Sequence, residues 1–356
     1  MLIDIFEWQR SLWRQLFADP ENLPHAMLMG GGEGIGKLAF AQAVAARLLC
    51  EQRNHAEGAD GLACGLCSSC HWMDSSNHPD FRLIQPDDGG EDTIEAGEVA
   101  LAAASPRKIG RGSIRIDQIR SLADFVFIGS HRHGNRVVVI APAESMTPGA
   151  ANSLLKILEE PPVGVYFILV SNSWRRLIPT LRSRCRTIAF GRPDLLQADR
   201  WLVGNGLKEP GELLGLAGGA PLLAAQWAEQ GRLDLYQKIV AGLADDPVDP
   251  VAMAMKWSAV LRVEAGFGIS QLVETVQKWV FDLLLLKTTG SPRYHGHWRE
   301  KLEYLAQNIP SSAGLMACYN DLLRIRAVSR HPLNTQLFLE DLATRYVRSL
   351  SPGRSG

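Results

Sequence analysis

The sequence predicts a doubly wound α/β domain over residues 1–191 and helices alone from there to the end. Three observations carry this expectation. Short apolar runs alternate with amphipathic stretches up to Phe190, as in proteins built on a parallel sheet. A glycine-rich segment, Gly31-Gly32-Glu33-Gly34-Ile35-Gly36-Lys37-Leu38, stands where the first apolar run gives way to the first helical pattern. After Gly191-Arg192-Pro193 the strand signal disappears.

In chain order, the expected strands are Ala26 to Met29, Phe81 to Ile84, Arg136 to Ile140, Tyr166 to Val170 and Arg186 to Phe190. The expected helices between them are Leu38 to Leu49, Asp117 to Phe127 and Ala150 to Glu160. Pro86 to Gly112 is rich in Gly, Ala, Ser and Asp without periodicity, which predicts a long, mobile surface loop. Pro193 to Asn205, Pro210 to Leu216 and a helix begun by Gly218-Gly219-Ala220-Pro221 predict a three-helix lid over residues 192–232. Residues 233–356 should form an all-α C-terminal domain with helices at Val251 to Arg262, Ser270 to Leu286, His297 to Asn308, Ser312 to Val328 and Thr335 to Leu350. Asn334 caps the last of these, the stripe Leu315, Cys318, Leu322 and Ile325 reads as core, and Ser351 to Gly356 as a frayed tail.

At 356 residues the chain exceeds the roughly 250 that one core usually serves, so several domains are expected. An apolar fraction of 46% and a charged fraction of 21% exclude a disordered chain or a coiled coil. The 37 Lys plus Arg against 38 Asp plus Glu exclude a strongly basic nucleic-acid binder, so any DNA contact needs a local patch. The N-terminus lacks the pattern of a signal peptide, and the longest apolar run, Trp279 to Leu286, is interrupted by Asp282. Spanning a bilayer takes about 20 apolar residues. The expectation is a soluble cytoplasmic chain with no membrane partner.

The glycine-rich segment reads as a phosphate loop. Gly31, Gly34 and Gly36 allow the backbone to approach phosphates, the following helix N-terminus favours anions, and Lys37 reaches the outer phosphates. Leu38 stands where a Ser or Thr hydroxyl would meet Mg²⁺. The strand Val137-Val138-Val139-Ile140 leads into Ala141-Pro142-Ala143-Glu144, without the acids that would hold Mg²⁺ and activate water. Glu144, displaced past a proline, is a poor substitute. No Mg²⁺ site is expected, and ATP or ADP binding stays open.

Cys50 and Cys64-Gly65-Leu66-Cys67-Ser68-Ser69-Cys70 form a four-cysteine module over residues 50–70. Four thiolates suit one structural Zn²⁺ in a tetrahedral site, with a disulfide pair or an iron–sulfur cluster as alternatives and His71 or His78 as rival ligands to Cys50. Cys185 and Cys318 are isolated and read as buried. Arg107, Lys108, Arg111 and Arg115 make a basic segment that either meets DNA phosphates or faces solvent.

In order along the chain come Leu23-Pro24-His25-Ala26, the phosphate loop, the four-cysteine insertion, His78-Pro79-Asp80-Phe81 and Ile116-Asp117-Gln118-Ile119-Arg120. Ala151-Asn152-Ser153-Leu154-Leu155-Lys156-Ile157-Leu158-Glu159-Glu160-Pro161-Pro162 and Leu181-Arg182-Ser183-Arg184-Cys185 follow, and His331-Pro332-Leu333-Asn334 with Leu337-Phe338-Leu339-Glu340 lies near the end. Together they resemble the bacterial replicative clamp loaders of the AAA+ class, over nearly the whole chain. The ATPase branch of that family, gamma or tau, should carry a hydroxyl at Leu38, an acidic pair at Ala141 and Pro142 and a sensing arginine near Leu222 or Leu223. All are missing, so the likeness is to the delta-prime branch.

The resemblance implies a RecA-like AAA+ domain, a lid and a collar in which five subunits assemble. It implies a non-hydrolysing component of the DNA polymerase III holoenzyme without polymerase chemistry of its own. The implied partners are the gamma or tau ATPase subunit and the delta subunit in a hetero-pentamer, with the sliding clamp and primed DNA reached through the complex. Arg184 would act as an arginine finger in the neighbouring subunit's nucleotide site, while the residues alone also allow a surface strip with Arg175, Arg176, Arg182 and Arg186. Ser171-Asn172 falls where the family senses γ-phosphate, though such a turn is also an ordinary cap. Glu159 and Glu160 carry no assigned chemistry. Two other functions remain open: an autonomous nucleotidase that recruits Glu144 for Mg²⁺, and a zinc-dependent DNA-binding module.

Overall fold

In the computed structural model, the described residues are 4–52, 61–87, 112–127, 134–245, 249–263, 267–328 and 334–350. The chain divides into two compact units, Met1–Gln197 and Ala198–Gly356.

The first unit holds five parallel strands in the order β2-β3-β4-β1-β5: β1 (Ala26–Gly30), β2 (Phe81–Ile84), β3 (Arg136–Ile140), β4 (Val165–Ser171) and β5 (Arg186–Ala189). Every residue of β1 and β3 is buried, the pattern of strands covered on both faces, and this is why, apart from Arg136 at the start of β3, their sequences run continuously apolar instead of alternating. Helices α1 (Arg10–Leu16), α2 (Lys37–Leu49), α3 (Ser68–Asp74), α4 (Ile116–Phe127), α5 (Pro148–Glu159) and α6 (Pro179–Arg184) complete the unit. All five expected strands form, within a residue or two of their expected ends. The sequence reading did not include α1, α3 and α6, whose six or seven residues are too few to show a helical period.

Helix α2 is rich in alanine and buried on nearly all sides, so small side chains let its backbone lie close to the sheet. One side is closed by an aromatic group: Trp13 meets Phe17 at 4.5 Å and Phe40 at 5.5 Å, and Phe40 meets Phe190 at 5.1 Å. Arg47 lays its guanidinium 4.0 Å from the Phe17 ring centroid and donates to the Gly61 carbonyl.

The second unit is helical in its described residues: α7 (Leu195–Gly204), which begins just before it, α8 (Gly211–Leu216), α9 (Pro221–Glu229), α10 (Arg232–Ala244), α11 (Pro250–Val263), α12 (Ile269–Thr288), α13 (Arg299–Asn308), α14 (Ser312–Val328) and α15 (Thr335–Leu350). Buried residues from Ala198 to Tyr346 form one hydrophobic cluster. Leu315, Cys318 and Leu322 are in that cluster and Ile325 packs against it. Helix α10 was not among the expected helices. Residues 88–111, which include most of the loop expected from Pro86 to Gly112 together with Arg107, Lys108 and Arg111, lie outside the described residues, as do His331, Pro332, Leu333 and Ser351 to Gly356.

Asp282 explains the interruption in the apolar run of α12. Its fully buried carboxylate accepts the backbone N–H groups of Arg293, Tyr294 and His295 at 2.8–3.2 Å and the His295 ring at Nδ1, 2.9 Å away. A buried carboxylate costs little when its oxygens are this fully bonded. Beside it, Trp279 donates to the Tyr346 hydroxyl at 2.8 Å, which donates to the Leu243 carbonyl at 2.8 Å, joining α12, α15 and α10. Asp282→Ala would strand four donors, and is expected to destabilise the chain by about 3 kcal/mol or more, measured as a shift of the urea unfolding midpoint.

Candidate functional site

The phosphate loop leaves β1 at Gly30 and enters α2 at Lys37. Gly34 and Gly36 have φ of +72° and +89°, the left-handed region that favours glycine. A Cβ on Gly36 would also lie 2.5 Å from the Phe6 ring, and one on Gly31 would lie 2.7 Å from the Phe190 carbonyl. An N-terminal turn buttresses the loop: Trp8 Nε1 donates to the Ile35 carbonyl at 3.1 Å, and Gln9 Nε2 to the carbonyls of Ile35 and Gly36 at 3.1 and 3.0 Å. The sequence reading missed these residues, since nothing local ties a Trp-Gln pair to a loop so far along the chain.

Lys37 is 4% exposed and turns inward. Its ammonium donates to the Gly32 carbonyl and to Asn172 Oδ1 at 2.7 Å. The Asn172 backbone N–H donates to Glu144 Oε1 at 2.9 Å, while Glu144 Oε2 is buried with no hydrogen-bond partner. Asn172 therefore does reach the phosphate loop, and Glu144, despite its displacement beyond Pro142, joins the same polar chain. Burial pushes the Lys37 pKa down to about 8, with the carboxylates of Glu144 and Glu33 opposing the shift.

Arg184 ends α6 two residues before β5, at the amino end of the parallel sheet and opposite to the turn that follows β4. Its Nη2 lies 2.6 Å from Glu159 Oε1 at the end of α5, and its Nη1 donates to the Thr180 carbonyl at 3.2 Å. Arg182 and Arg175 lie 5.0 and 5.5 Å from the Trp174 ring centroid. Arg115 pairs with Asp87 at 3.3 Å. Cys185 and Cys318 are buried, which pushes each thiol up to about 11.

The four clustered cysteines do converge. Their Sγ atoms all lie within 4.8 Å of one another, with Cys50 and Cys67 at 3.9 Å and Cys64 and Cys70 at 3.8 Å. Metal–sulfur bonds of about 2.3 Å in a tetrahedron put sulfurs about 3.8 Å apart, whereas a disulfide needs about 2.05 Å. All six cysteines are free thiols, so the disulfide alternative is not formed. The residues fit one metal ion. Backbone N–H groups of Cys64, Leu66, Cys67 and Cys70 point at the sulfurs at 3.4 Å, as thiolates require. Burial opposes ionisation of Cys64, but the N–H groups of Leu66 and Cys67 outweigh it and bring the thiol down to about 7. Burial raises the thiols of Cys50 and Cys70.

Neither His71 nor His78 belongs to this group. His78 Nδ1 accepts the Asp80 backbone N–H at 3.0 Å, so its proton sits on Nε2, 2.8 Å from Ser69 Oγ, which donates to the Leu49 carbonyl at 2.6 Å. Asp80 pairs with Arg136 at 3.2 Å, both side chains buried. His78-Pro79-Asp80-Phe81 thus ties the cysteine helix α3 to α2 and to the sheet.

With this geometry in place, comparison with known proteins is decisive. A family model described as DNA polymerase III, delta subunit, matches residues 9–194. The DNA polymerase III subunit delta′ of Pseudomonas aeruginosa is 32% identical over 99% of this chain and 100% of its own. The chain belongs to the DNA polymerase III delta-prime family. The delta′ subunit of Escherichia coli K12 is 26% identical over 98% of this chain and 97% of its own. A gamma/tau subunit of Mycobacterium bovis is 32% identical over 48% of this chain and 25% of its own length. As a delta-prime family member, the chain has among its described residues no helix long and apolar enough to cross a membrane.

Two predictions follow from the two halves of the site. In the unfolded chain Lys37 holds its proton to near 10.5, so between pH 8 and 10.5 the unfolded state binds a proton that the folded state has released. Stability at this site therefore rises with pH over that window. The unfolding free energy of wild type minus Lys37→Met should climb from pH 7.5 to 9.5; a flat difference would exclude a depressed amine. For the cysteine module, elemental analysis should find one metal per chain, lost in Cys64→Ser, and chelation should lower the melting temperature of wild type by several degrees.

Proposed function

We propose that this chain is a non-hydrolysing delta-prime subunit of a replicative clamp loader. Its task is to present Arg184 to the nucleotide of a neighbouring ATPase subunit and to help place the sliding clamp on primed DNA. The observation that carries the reading is the composition of the chain's own nucleotide site. A phosphate loop with glycines and Lys37 is retained, but Leu38, Ala141 and Pro142 stand where Mg²⁺ chemistry needs oxygen ligands. Lys37 meanwhile spends its hydrogen bonds on Gly32 and Asn172.

An arginine suits the finger role because its planar, permanently charged guanidinium matches the equatorial oxygens of a transferring phosphoryl group. In this reading water attacks the partner's γ-phosphorus, ADP leaves, and Arg184 offsets the charge on the oxygens between them. The partners are a gamma/tau-type ATPase subunit and delta in a hetero-pentamer, α7–α9 serve as a lid, and the helices from α10 onward form the collar. The ion at Cys50, Cys64, Cys67 and Cys70 is Zn²⁺ in a closed, structural site, because four sulfurs leave no position for substrate. The chain works in the cytoplasm as part of the DNA polymerase III holoenzyme.

Glu144 favours a second reading. Its buried, unpartnered Oε2 lies in the polar chain that includes Lys37, which is the place for a recruited Mg²⁺ ligand in an autonomous ATPase. Steady-state ATP hydrolysis by the chain alone separates the two: none is expected, and turnover abolished by Lys37→Ala would establish the second reading. In a complex assembled with the ATPase subunit, delta, clamp and primed DNA, Arg184→Ala should slow single-turnover hydrolysis at the site it faces by about 10³-fold. Unchanged hydrolysis in an intact complex would refute the finger.

A further inference from the structure

Arg184 does not stand free on the surface. One terminal nitrogen of its guanidinium is bonded to Glu159 at 2.6 Å and the other to the Thr180 carbonyl at 3.2 Å, both within its own chain. The two charged residues occupy fixed helix ends. Thr147 caps the start of α5 through its side chain, and Pro161 and Pro162 prevent the helix from continuing past Glu160, whose φ and ψ are already non-helical at −134° and 66°. On the other side Pro179 opens α6, and Leu181 and Cys185 are buried on either side of Arg184. Both charged groups thus sit at defined helix ends, and a change of partner requires only side-chain rotation.

The position of Glu159 also breaks a local rule. A carboxylate at the C-terminal end of a helix faces the negative end of the helix dipole, where a cation is favoured. Glu159 ends α5 with Glu160 directly after it. Local conflicts of this kind concentrate at functional positions. A cation brought from α6 resolves this one, and Arg182 does not compete for it because it lies over Trp174.

We propose that Glu159 is the positioning residue of the finger: a counter-ion that parks Arg184 on its own chain until a partner's phosphate takes its place. The inference rests on the reading of Arg184 as a finger. Magnitude decides that the pair is a latch and not a lock. The side chains are 36% and 51% exposed, and pairs at such sites shift an equilibrium by no more than about five-fold. A phosphoryl group offers more charge and a two-point contact, which a single carboxylate oxygen does not match. The Glu159 carboxylate then costs rate twice, by holding the parked state and by standing beside the incoming anion.

The test is single-turnover ATP hydrolysis by the assembled complex carrying wild type, Glu159→Gln, Arg184→Ala or both. Glu159→Gln keeps the shape and removes the charge, and the rate should rise about two- to five-fold. The rise should shrink in high salt, which screens the wild-type pair. In the Arg184→Ala background the same substitution should change nothing, a dependence that a merely structural role would not produce. Glu159→Ala should behave as Glu159→Gln. An unchanged or slower rate for Glu159→Gln, with Arg184→Ala still slow, would overturn the counter-ion role and leave the finger standing. An equal rise with and without Arg184 would overturn it too. No effect of Arg184→Ala would remove the finger and this inference together.

Discussion

Burial of a parallel sheet on both faces is the constraint from which the rest of the first unit follows. A fully covered parallel sheet exposes chemistry only at its ends, and the carboxyl ends of its strands are where connections turn outward. Here the phosphate loop leaves β1, Glu144 follows β3 and Asn172 follows β4 at the carboxyl ends, whereas Arg184 stands just before β5, at the amino end of the sheet. These residues are scattered over the sequence, yet the order β2-β3-β4-β1-β5 sets β3, β4, β1 and β5 side by side. A network from Lys37 through Asn172 to Glu144 is a consequence of that order.

Within this frame the glycine-rich loop keeps the backbone form of a phosphate loop while its polar groups serve one another. The positive φ at Gly34 and Gly36 preserves the turn, and Gln9 and Trp8 hold its carbonyls from outside. A buried ammonium must be satisfied, and Gly32 and Asn172 satisfy Lys37 within the chain itself. Arg184, by contrast, lies at the surface, exposed and held by an ion pair with Glu159.

The cysteine module illustrates how an insertion is anchored. Its four sulfurs need only local chain to converge, but a small knuckle has little core of its own. The bonds from Leu49 through Ser69 and His78 to Asp80, and the buried Asp80–Arg136 pair, join it to α2 and β3. His78 thus orients the protein around the four cysteines, as groups beside metal ligands commonly do, and is not part of their cluster.

The sequence by itself determined the strands, the longer helices, the glycines of the loop and the four cysteines, because periodicity, steric freedom and close spacing are properties of neighbouring residues. It also placed Leu38, Ala141 and Pro142, whose side chains carry no oxygen, where the ATPase branch of the family it resembles would carry a hydroxyl and an acidic pair. It did not show α1, α3, α6 or α10, nor did it give Glu159 a partner. Lys37 and Asn172 are 135 residues apart, Arg184 and Glu159 25, and His295 and Asp282 13. Which carboxylate or amide a given cation meets across such distances depends on strand order and helix packing, and no local pattern encodes that choice. Only the tertiary structure decided it, because charge pairing acts through space and the fold alone sets which residues share it.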